Sequence, residues 1–407
     1  MMKLLQLGAS LLSWSLCATA TILENGHERL NPWPGQTQSI ALDESWKSYG
    51  PDVSQISYKG RWDSQHISWW SAPGIKVGFS GKKLAVTFGP STSEGALVAY
   101  RIGSFDWLFS NVTAGSTHYF VGPGTALDGD DIPDNNIFEM RVTNWGLGVQ
   151  IAGVSIASDA RLLKPVTYQK KVELIGGSVV SGQFATYETL SSWAFLYAAG
   201  LGNVEYTITA YPGVCLADLQ CYGGGTHGMT WFWHHASDPG VRAASMYGGE
   251  PEEYDVKAEQ PADLVIIQMG GNDHRPPNEI PGDKFAEAYI DMIEDIHKVW
   301  PQAVVVLMSQ WGGFIRSGTG WRGTTIYEPE TMRVLDHFKD QGFVHYFNTD
   351  GILAHNDINP KNHPTDVGHI KLASHLLQWT RVVLGWELEP TGEMTHSTLY
   401  WNDQQEY

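Results

Sequence analysis

The stretch Lys171-Val172-Glu173-Leu174-Ile175-Gly176-Gly177-Ser178 decides the fold, because a short strand-forming run ends there in two glycines and a serine. Residues 262–269 and 303–308 are nearly continuous apolar runs, as expected for strands buried on both faces, and 344–348 is a weaker one. Helical stretches lie between these runs, at about 190–199, 284–299, 330–339 and 367–383. This alternation predicts a three-layer α/β domain, in which helices cover both faces of a parallel sheet.

Three chemistry-bearing fragments follow one another along this pattern. Ser178 leaves the first strand, Asn272 leaves the second within Gly270-Gly271-Asn272-Asp273, and His363 precedes the last helix. Ligands of such folds bind beyond the carboxyl ends of the strands, which is where Ser178 and Asn272 fall. A hydroxyl nucleophile, an amide donor for an oxyanion and a general base are the minimum that ester hydrolysis requires. The pattern therefore indicates an esterase.

The composition narrows the class of partner. The 407 residues carry a formal charge of −18, and no cluster of Lys and Arg is visible, which argues against a nucleic-acid partner. Residues 1–20 read as a secretory signal, with Lys3, a short apolar run and the small-residue site Ala18-Thr19-Ala20. A membrane anchor is the alternative, but that apolar run is too short to span a bilayer and no later one is longer. We therefore expect a secreted, extracellular protein that does not bind a membrane.

Export changes what the cysteines imply. Cys17 leaves with the signal, so that Cys215 and Cys221 remain, with five residues between them. In an oxidising compartment we expect this pair to form a disulfide, with two free thiols as the alternative. The sequon Asn111-Val112-Thr113 is a candidate site for N-glycosylation of a secreted protein.

Residues 56–157 differ from the rest of the chain. They contain short alternating runs separated by clusters of Gly, Asp, Asn and Pro, which is typical of an all-β sandwich. We expect residues 158–169 to link this unit to the α/β part. The predicted organisation is a signal peptide, a β-sandwich domain, a catalytic domain and an irregular tail, at residues 1–20, 21–165, 166–388 and 389–407.

The arrangement resembles the SGNH (GDSL-type) hydrolases and, among them, family 2 of the carbohydrate esterases, which includes acetyl xylan esterases. The likeness covers roughly residues 56–385, and its opening elements are the turn at 58–63 and the strand at 69–81, which ends in Phe79-Ser80-Gly81. It implies a jelly-roll domain ahead of the hydrolase domain. It also implies a carbohydrate O-acetyl esterase that acts on an acetylated polysaccharide or oligosaccharide by a Ser–His mechanism, with no metal or other cofactor.

By this resemblance, Ser178 is the nucleophile, His363 the base, and Asn272 an oxyanion donor. A second oxyanion donor would be the N–H of Gly213, with Gly223, Gly224 and Gly225 as rivals. Two positions depart from the family pattern: Gly177 replaces an Asp, and Pro360 replaces the Asp that normally orients the catalytic His. Members of the resembled family also work as a Ser–His dyad, with a backbone carbonyl on the other ring nitrogen. Asp357 is a less favoured substitute.

Other polar residues have competing interpretations. His369 could compete with His363, but it lies within the last helical pattern and is better explained as structural. Asp273 could brace its loop or act directly. The cluster His227, His234 and His235 lacks the spacing of metal ligands, so no metal site is predicted.

Tryptophan is abundant, with 17 residues, and flat aromatic faces stack on sugar rings. Trp311 follows the third strand at the expected active-site edge and is the best candidate for a substrate contact. Two other functions remain open at this stage. One is a carbohydrate-binding protein that has lost turnover, which the missing aspartates suggest. The other is a lipase or thioesterase of the same fold, which would need a long apolar groove.

Overall fold

A computed structural model describes residues 35–388, except 129–131, 133–134 and 223–224, together with the backbone of 21–24, 27–28 and 400–403. The predicted signal peptide and most of the predicted tail lie outside these residues. Strands β1 (Thr21–Glu24) and β2 (His27–Glu28) pair with each other, and β1 also pairs with β21 (Tyr400–Asp403). None of the helices in the described ranges has the length and apolar character needed to cross a bilayer.

The first unit is an antiparallel sandwich of two sheets. Its strands are β3 (Gln38–Ser39), β4 (Trp46–Tyr49), β5 (Ile56–Trp62), β6 (Ser68–Phe79), β7 (Leu84–Phe88), β8 (Leu97–Ile102), β9 (Leu108–Asn111), β10 (Thr117–Val121), β11 (Asn136–Val142), β12 (Ile151–Ala157) and β13 (Leu162–Leu163). One sheet has the order β3-β10-β7-β12-β4, and the other runs β6-β11-β8-β9 with β5 and β13 also paired to β6. Between the sheets lie Phe88, Tyr100, Phe120 and Phe138, all at most 1% exposed.

The second unit is built on five parallel strands: β14 (Lys170–Gly176), β15 (Val204–Ala210), β16 (Leu264–Gln268), β17 (Val304–Met308) and β20 (Val344–Phe347). Their order is β15-β14-β16-β17-β20, so the chain leaves β14 toward one edge and returns to its other side. Such a reversal opens a crevice at the carboxyl ends of the strands, and Ser178 follows β14 at that point.

Helices cover both faces of this sheet. They are α1 (Trp193–Leu201), α2 (Met229–Phe232), α3 (Val241–Tyr247), α4 (Gly271–His274), α5 (Gly282–Val299), α6 (Glu328–Phe338) and α7 (Asp366–Val383), with 3-10 turns at Glu188–Ser191, Val256–Ala258 and His355–Asp357. Helices α1 and α7 share one apolar core with the sheet, and α5 and α6 share the other. The predicted fold class, a three-layer α/β domain preceded by an all-β domain, is confirmed.

Three details differ from the sequence expectation. On α7, the helical spacing of Ile370, Leu372 and Leu376 predicts that all three face the core, but Ile370 is 38% exposed and His369 is fully buried. The expected linker 158–169 contains β13, which pairs with β6. In addition, the hairpin of β18 (Trp311–Ser317) and β19 (Gly320–Thr325) has no counterpart in the sequence prediction.

The two units share one continuous sheet. Strand β15 pairs with β6 at Ile208 and Ser71, and the Ser71 hydroxyl donates to the Ala210 carbonyl at 2.8 Å. Buried ion pairs cross the same boundary, with Arg61 at 3.6 Å from Glu173 and Lys59 at 2.5 Å from Glu205. The sandwich therefore supports the edge strand that precedes the loop at Gly213.

Candidate active site

The carboxyl ends of neighbouring parallel strands bring the site together. Ser178 follows β14 and Asn272 follows the adjacent β16 through Gly270, whose φ is +120°. A Cβ at Gly270 would lie 3.0 Å from the Phe285 ring, so both the backbone conformation and the space favour glycine. Trp311 follows β17, the next strand. The parallel register thus aligns three loops on one edge.

His363 completes the group from the loop before α7. Its Nε2 is 2.8 Å from Ser178 Oγ, and its Nδ1 is 2.8 Å from the Lys361 carbonyl oxygen. A carbonyl can only accept, so Nδ1 carries the proton and Nε2 is left free to accept from the serine hydroxyl. This is the tautomer that a general base for Ser178 requires.

Asn359 and Asp357 shape the histidine loop without touching the imidazole. The Asn359 side-chain oxygen accepts the backbone N–H groups of Lys361 at 3.0 Å and His363 at 3.2 Å. Asp357 instead accepts from Lys371 at 2.6 Å and from the Ala354 N–H at 2.7 Å. Asp357 is therefore not the substitute for the Asp that Pro360 replaces.

The electrostatic surroundings keep His363 neutral. Burial lowers its pKa, the hydrogen bond to the Lys361 carbonyl opposes that shift, and the positive charge of Arg275 adds to it. The ring of Phe184 contacts the imidazole edge-on, with centroids 5.0 Å apart. A neutral imidazole is the form that can accept a proton.

Donors for an oxyanion lie beside the serine. One N–H of the Asn272 amide donates to the Val214 carbonyl at 3.0 Å, which leaves its second N–H available. The backbone N–H groups of Ser178 and Gly213 have no acceptor within the described part of the chain. Gly213, which precedes Val214 in this loop, has a φ of +85°, a conformation that glycine adopts readily. Ser178 and Asn272 line the same cleft, and the Gly213 N–H stays a predicted third donor.

Asp273 and the cysteines brace this loop. The buried Asp273 carboxylate accepts from the Leu216 N–H at 3.0 Å and the Ala217 N–H at 3.1 Å. Burial raises the pKa of Asp273 to about 6, and these two bonds oppose the shift. Cys215 and Cys221 form a disulfide, as predicted from the sequence. Asp273 therefore positions the loop rather than facing the serine.

A cleft of about 560 Å³ opens over the serine. The half-buried Trp311 lines it, and the base of the β18–β19 hairpin forms one wall through Gly312, Thr324 and Thr325. Arg275 and Lys361 lie at its rim. Sequence reasoning missed Arg275, Asn359 and the hairpin, because none of them belongs to a motif or to an apolar period.

The other histidines that the sequence analysis considered, His227, His234, His235 and His369, do not line the cleft. His369 is fully buried, accepts from the Trp193 N–H at 3.0 Å, and has its pKa lowered to about 3 by burial and by His363. It is thus a packing residue. His227 and His235 stack on the two faces of Trp231, at 4.1 and 3.5 Å between centroids.

Two further sequence predictions concern the rival oxyanion glycines and the glycosylation site. Of the rival oxyanion glycines, Gly223 and Gly224 lie outside the described residues, while Gly225 packs against Phe232 and Pro239. Asn111 is the last residue of the edge strand β9 and is partly exposed, and its glycosylation stays a prediction.

A hydroxyl, an imidazole and an amide in one cleft are the groups that a serine-type hydrolase would need. Residues 174–371 match the profile of the GDSL-like lipase/acylhydrolase family, which identifies this domain as that of a carboxylic ester hydrolase. No curated protein sequence matched the chain.

Solved structures share the whole two-unit fold. A family two carbohydrate esterase from Cellvibrio japonicus aligns with a TM-score of 0.65 and 18% identity, over 84% of this chain and 99% of its own. An acetyl xylan esterase from Butyrivibrio proteoclasticus gives 0.64 and 16%, over 84% and 100%. A family two carbohydrate esterase from Clostridium thermocellum in complex with cellohexaose gives 0.60 and 20%, over 82% and 100%. The resemblance seen in the sequence is confirmed at the level of fold.

Proposed function

We propose that this chain is a secreted carbohydrate O-acetyl esterase that works through a Ser178–His363 dyad. The observation that carries the proposal is the 2.8 Å contact between Ser178 Oγ and His363 Nε2, in an open cleft beside the Asn272 amide. The fold of family two carbohydrate esterases around this cleft supports the substrate class.

In the first half of the reaction, His363 Nε2 takes the proton of Ser178 as Oγ attacks the acyl carbonyl. The negative charge that develops on the carbonyl oxygen is met by the N–H groups of Ser178, Gly213 and Asn272. A preorganised donor of this kind contributes about 3 kcal/mol to the stabilisation of the transition state. The imidazolium then gives its proton to the departing sugar oxygen, and the acetyl group stays on Oγ.

In the second half, a water molecule takes the place of the sugar. His363 Nε2 accepts a proton from this water, whose oxygen attacks the acetyl carbonyl. The same donors stabilise the oxyanion again, and the proton returns to Ser178 Oγ as acetate leaves.

The Lys361 carbonyl takes over one task of the absent aspartate. When an Asn replaces the aspartate of a serine protease, the rate falls by about 10⁴, because the imidazole then adopts the wrong tautomer. Here the carbonyl holds the proton on Nδ1, so the tautomer is correct. It supplies a dipole rather than a full charge to the imidazolium. We therefore favour an active enzyme over a carbohydrate-binding protein without turnover.

The cleft lining favours a small acyl group on a polar carrier. Next to Ser178 it presents Gln310, Thr324, Thr325 and Asn362, and Trp311 offers a flat face for a sugar ring. A lipase or thioesterase with long-chain substrates would need an extended apolar groove, whereas here polar side chains alternate with Val179, Val214, Met269 and Ile326. Acetate on a sugar hydroxyl fits it better.

Extracellular action agrees with the Cys215–Cys221 disulfide, which persists in oxidising compartments. The signal peptide predicted at residues 1–20 would deliver the chain there. Sequencing the amino terminus of the protein collected from culture medium tests this: a start near residue 21 supports export, and retention of the intact chain inside cells contradicts it.

The activity is tested with the purified protein on p-nitrophenyl acetate and on a panel of acetylated oligosaccharides, by acetate release. Ser178→Ala should lower kcat by about four orders of magnitude or more. Ser181→Ala is the matched control, since it removes a hydroxyl from the same loop that donates to the Ser178 carbonyl at 3.1 Å. It should keep most of the activity. Equal activity in the Ser178 variant, or no turnover by the wild type on any acetyl ester, would reject the proposal.

A further inference from the structure

The cleft has a basic rim on an acidic protein. The chain has 26 Lys and Arg against 44 Asp and Glu, so its overall field repels anions. Arg275 and Lys361 nevertheless line the cleft and are exposed, and Arg322 is exposed on the hairpin that walls it. Two carboxylates lie against the same hairpin, Glu328 at 3.0 Å from the Thr325 hydroxyl and Asp350 beside Gly323, so the basic groups matter where a ligand can reach them away from these acids.

The arginines at the rim of the cleft, Arg275 and Arg322, differ in their ion pairing from those that stabilise the fold. Arg61 and Arg141 are buried and bound to Glu173 and Glu139. In contrast, no carboxylate lies within salt-bridge distance of Arg275 or Arg322 among the residues that the structure describes. Arg275 is instead held over the ring of Tyr222, at 4.6 Å from its centroid. These two guanidinium groups are therefore open to an anion from solution.

The hairpin register sets where Arg322 points. In β18–β19, Ile315 pairs with Arg322, and Gly313 pairs with Thr324, which lines the cleft. Alternate residues of a strand share a face, so Arg322 and Thr324 project to the same side, about 7 Å apart along the strand. Arg322 does not line the cleft, to which Thr325 also contributes, but by this register it shares the face of Thr324 one pleat further along the hairpin.

The opposite face of the hairpin packs in part against His355, although Trp321 on that face stays 53% exposed. Phe314 and Trp321 lie there and contact His355, with Trp321 stacked on the imidazole at 4.0 Å. Arg316 pairs with Trp321 and belongs to this face. The nearby carboxylates also approach from that side, since Asp350 faces Gly323 and Glu328 accepts from the Thr325 hydroxyl. The two faces therefore differ in their surroundings.

We propose that this basic rim, formed by Arg275, Arg322 and Lys361, binds carboxylate groups of an acidic polysaccharide, so that the preferred substrates carry uronic acid residues beside the acetylated sugar. This rests on the proposed esterase function and specifies its substrate. A guanidinium binds a carboxylate through two parallel N–H bonds, which suits a uronate at a fixed distance from the ester. Arg322 lies along the hairpin away from Ser178, so it contacts a flanking sugar rather than the acyl group.

The test compares acetylated xylo-oligosaccharides of one length, with and without a uronic acid branch. We expect the acidic substrate to have the higher kcat/KM at low salt, by about fivefold, which corresponds to one exposed charge pair at the upper end of its usual strength. The preference should shrink as ionic strength rises, because exposed charges are screened, while the neutral substrate should respond little. A salt-independent ratio near one would overturn the proposal.

Variants locate the effect on one face. Arg322→Ala should lower the acidic-to-neutral ratio of kcat/KM about two- to fivefold, and Arg322→Glu should lower it further. Arg316→Ala removes the same charge from the other face of the hairpin and should leave the ratio unchanged. An equal loss in both variants would mean that general charge, not a site, sets the preference, and would reject the assignment.

Two further comparisons distinguish a failure of the esterase function from a failure of the basic-rim proposal. Comparing p-nitrophenyl acetate with p-nitrophenyl hydrogen succinate asks whether the anion belongs to the acyl group; a rim effect confined to the succinate ester would contradict the polysaccharide assignment. If the wild type hydrolyses neither sugar ester nor p-nitrophenyl acetate, the esterase function itself fails. If it hydrolyses both sugar esters equally, the function stands and the basic rim is rejected.

Discussion

The two halves of the candidate site are held in different ways. The oxyanion side, comprising residues 213–217 with Asn272 and Asp273, is braced by a buried carboxylate, a disulfide and a side-chain amide bond. The histidine side, comprising residues 354–365 and the hairpin β18–β19, is largely exposed and depends on Asn359, Asp357 and one carbonyl. An isolated two-stranded hairpin is marginally stable in water.

The difference follows from what each half does. Oxyanion donors stabilise charge best when they are fixed before the reaction, so rigidity has direct value there. In the proposed mechanism, the histidine exchanges protons with two partners in turn, and the wall beside it admits a bulky sugar chain. A less rigid support, made of local hydrogen bonds, suits the histidine side of the site. Substitutions on the two sides should therefore have distinct kinetic signatures.

The largest effect is expected from Asn272→Ala on the oxyanion side. Loss of this donor should lower kcat for p-nitrophenyl acetate by about 100- to 1,000-fold with little change in KM, because the bond forms with the developing oxyanion. Asn278→Ala is the matched control, since its amide donates to the Asn272 carbonyl at 2.9 Å and does not face the cleft. A loss below tenfold for Asn272→Ala would remove Asn272 from the oxyanion site.

Asn359→Ala probes the histidine side. Without its side-chain oxygen the Lys361 and His363 N–H groups lose their acceptor, the loop shifts, and kcat should fall about 10- to 100-fold, as expected for a misplacement near 1 Å. Asn359→Asp keeps an oxygen in that place and should retain most of the activity. If both variants behave alike, hydrogen bonding by Asn359 is not what places the imidazole.

The double variant Cys215→Ser/Cys221→Ser asks how much of the bracing is covalent. So short a closed loop limits the stabilisation to about 2 kcal/mol in the free energy of unfolding, measured by denaturant titration. Since Asp273 still holds the Leu216 and Ala217 N–H groups, kcat should change only a few-fold. A loss of kcat as large as that of Asn272→Ala would show that the disulfide, not Asp273, orders the loop.

The smallest effect concerns pH. Only neutral His363 can act as the base, and burial together with Arg275 lowers its pKa, so kcat/KM should reach half of its maximum below the ordinary histidine value of about 6.5. Arg275→Ala removes a nearby positive charge that disfavours the imidazolium; the pKa should rise and the acid limb should move to higher pH. Arg275→Lys should leave the limb in place, and a shift toward lower pH in the alanine variant would contradict this account.

Much of the fold could be anticipated because its signals are local. The strands at 170–176, 264–268 and 304–308 are apolar runs, and the helix Asp366–Val383 follows a clear 3.6-residue period. The hairpin β18–β19 escaped prediction because its residues are polar or glycine and pair mainly with each other. Ile370 was misassigned since a helical period tolerates a small rotation of the buried face, and burial of His369 decided that rotation.

The residues of the candidate site likewise include some that the sequence indicated and some that it did not. Ser178, Asn272 and His363 could be proposed from their side chains and their places after strands or before a helix, because ester hydrolysis requires side chains of these types. Asn359, Arg275 and Arg322 belong to no motif, and their significance comes from what lies next to them in space.

The chain order and residue types alone thus indicated a hydroxyl, an amide and an imidazole on one edge of a parallel sheet. What replaces the missing aspartate was settled only in three dimensions, because every residue has a backbone carbonyl and its identity says nothing about which one will meet His363 Nδ1. The continuity of the two sheets and the placing of Arg322 beside the cleft are likewise tertiary. They depend on packing between segments distant along the chain, which local periodicity does not encode.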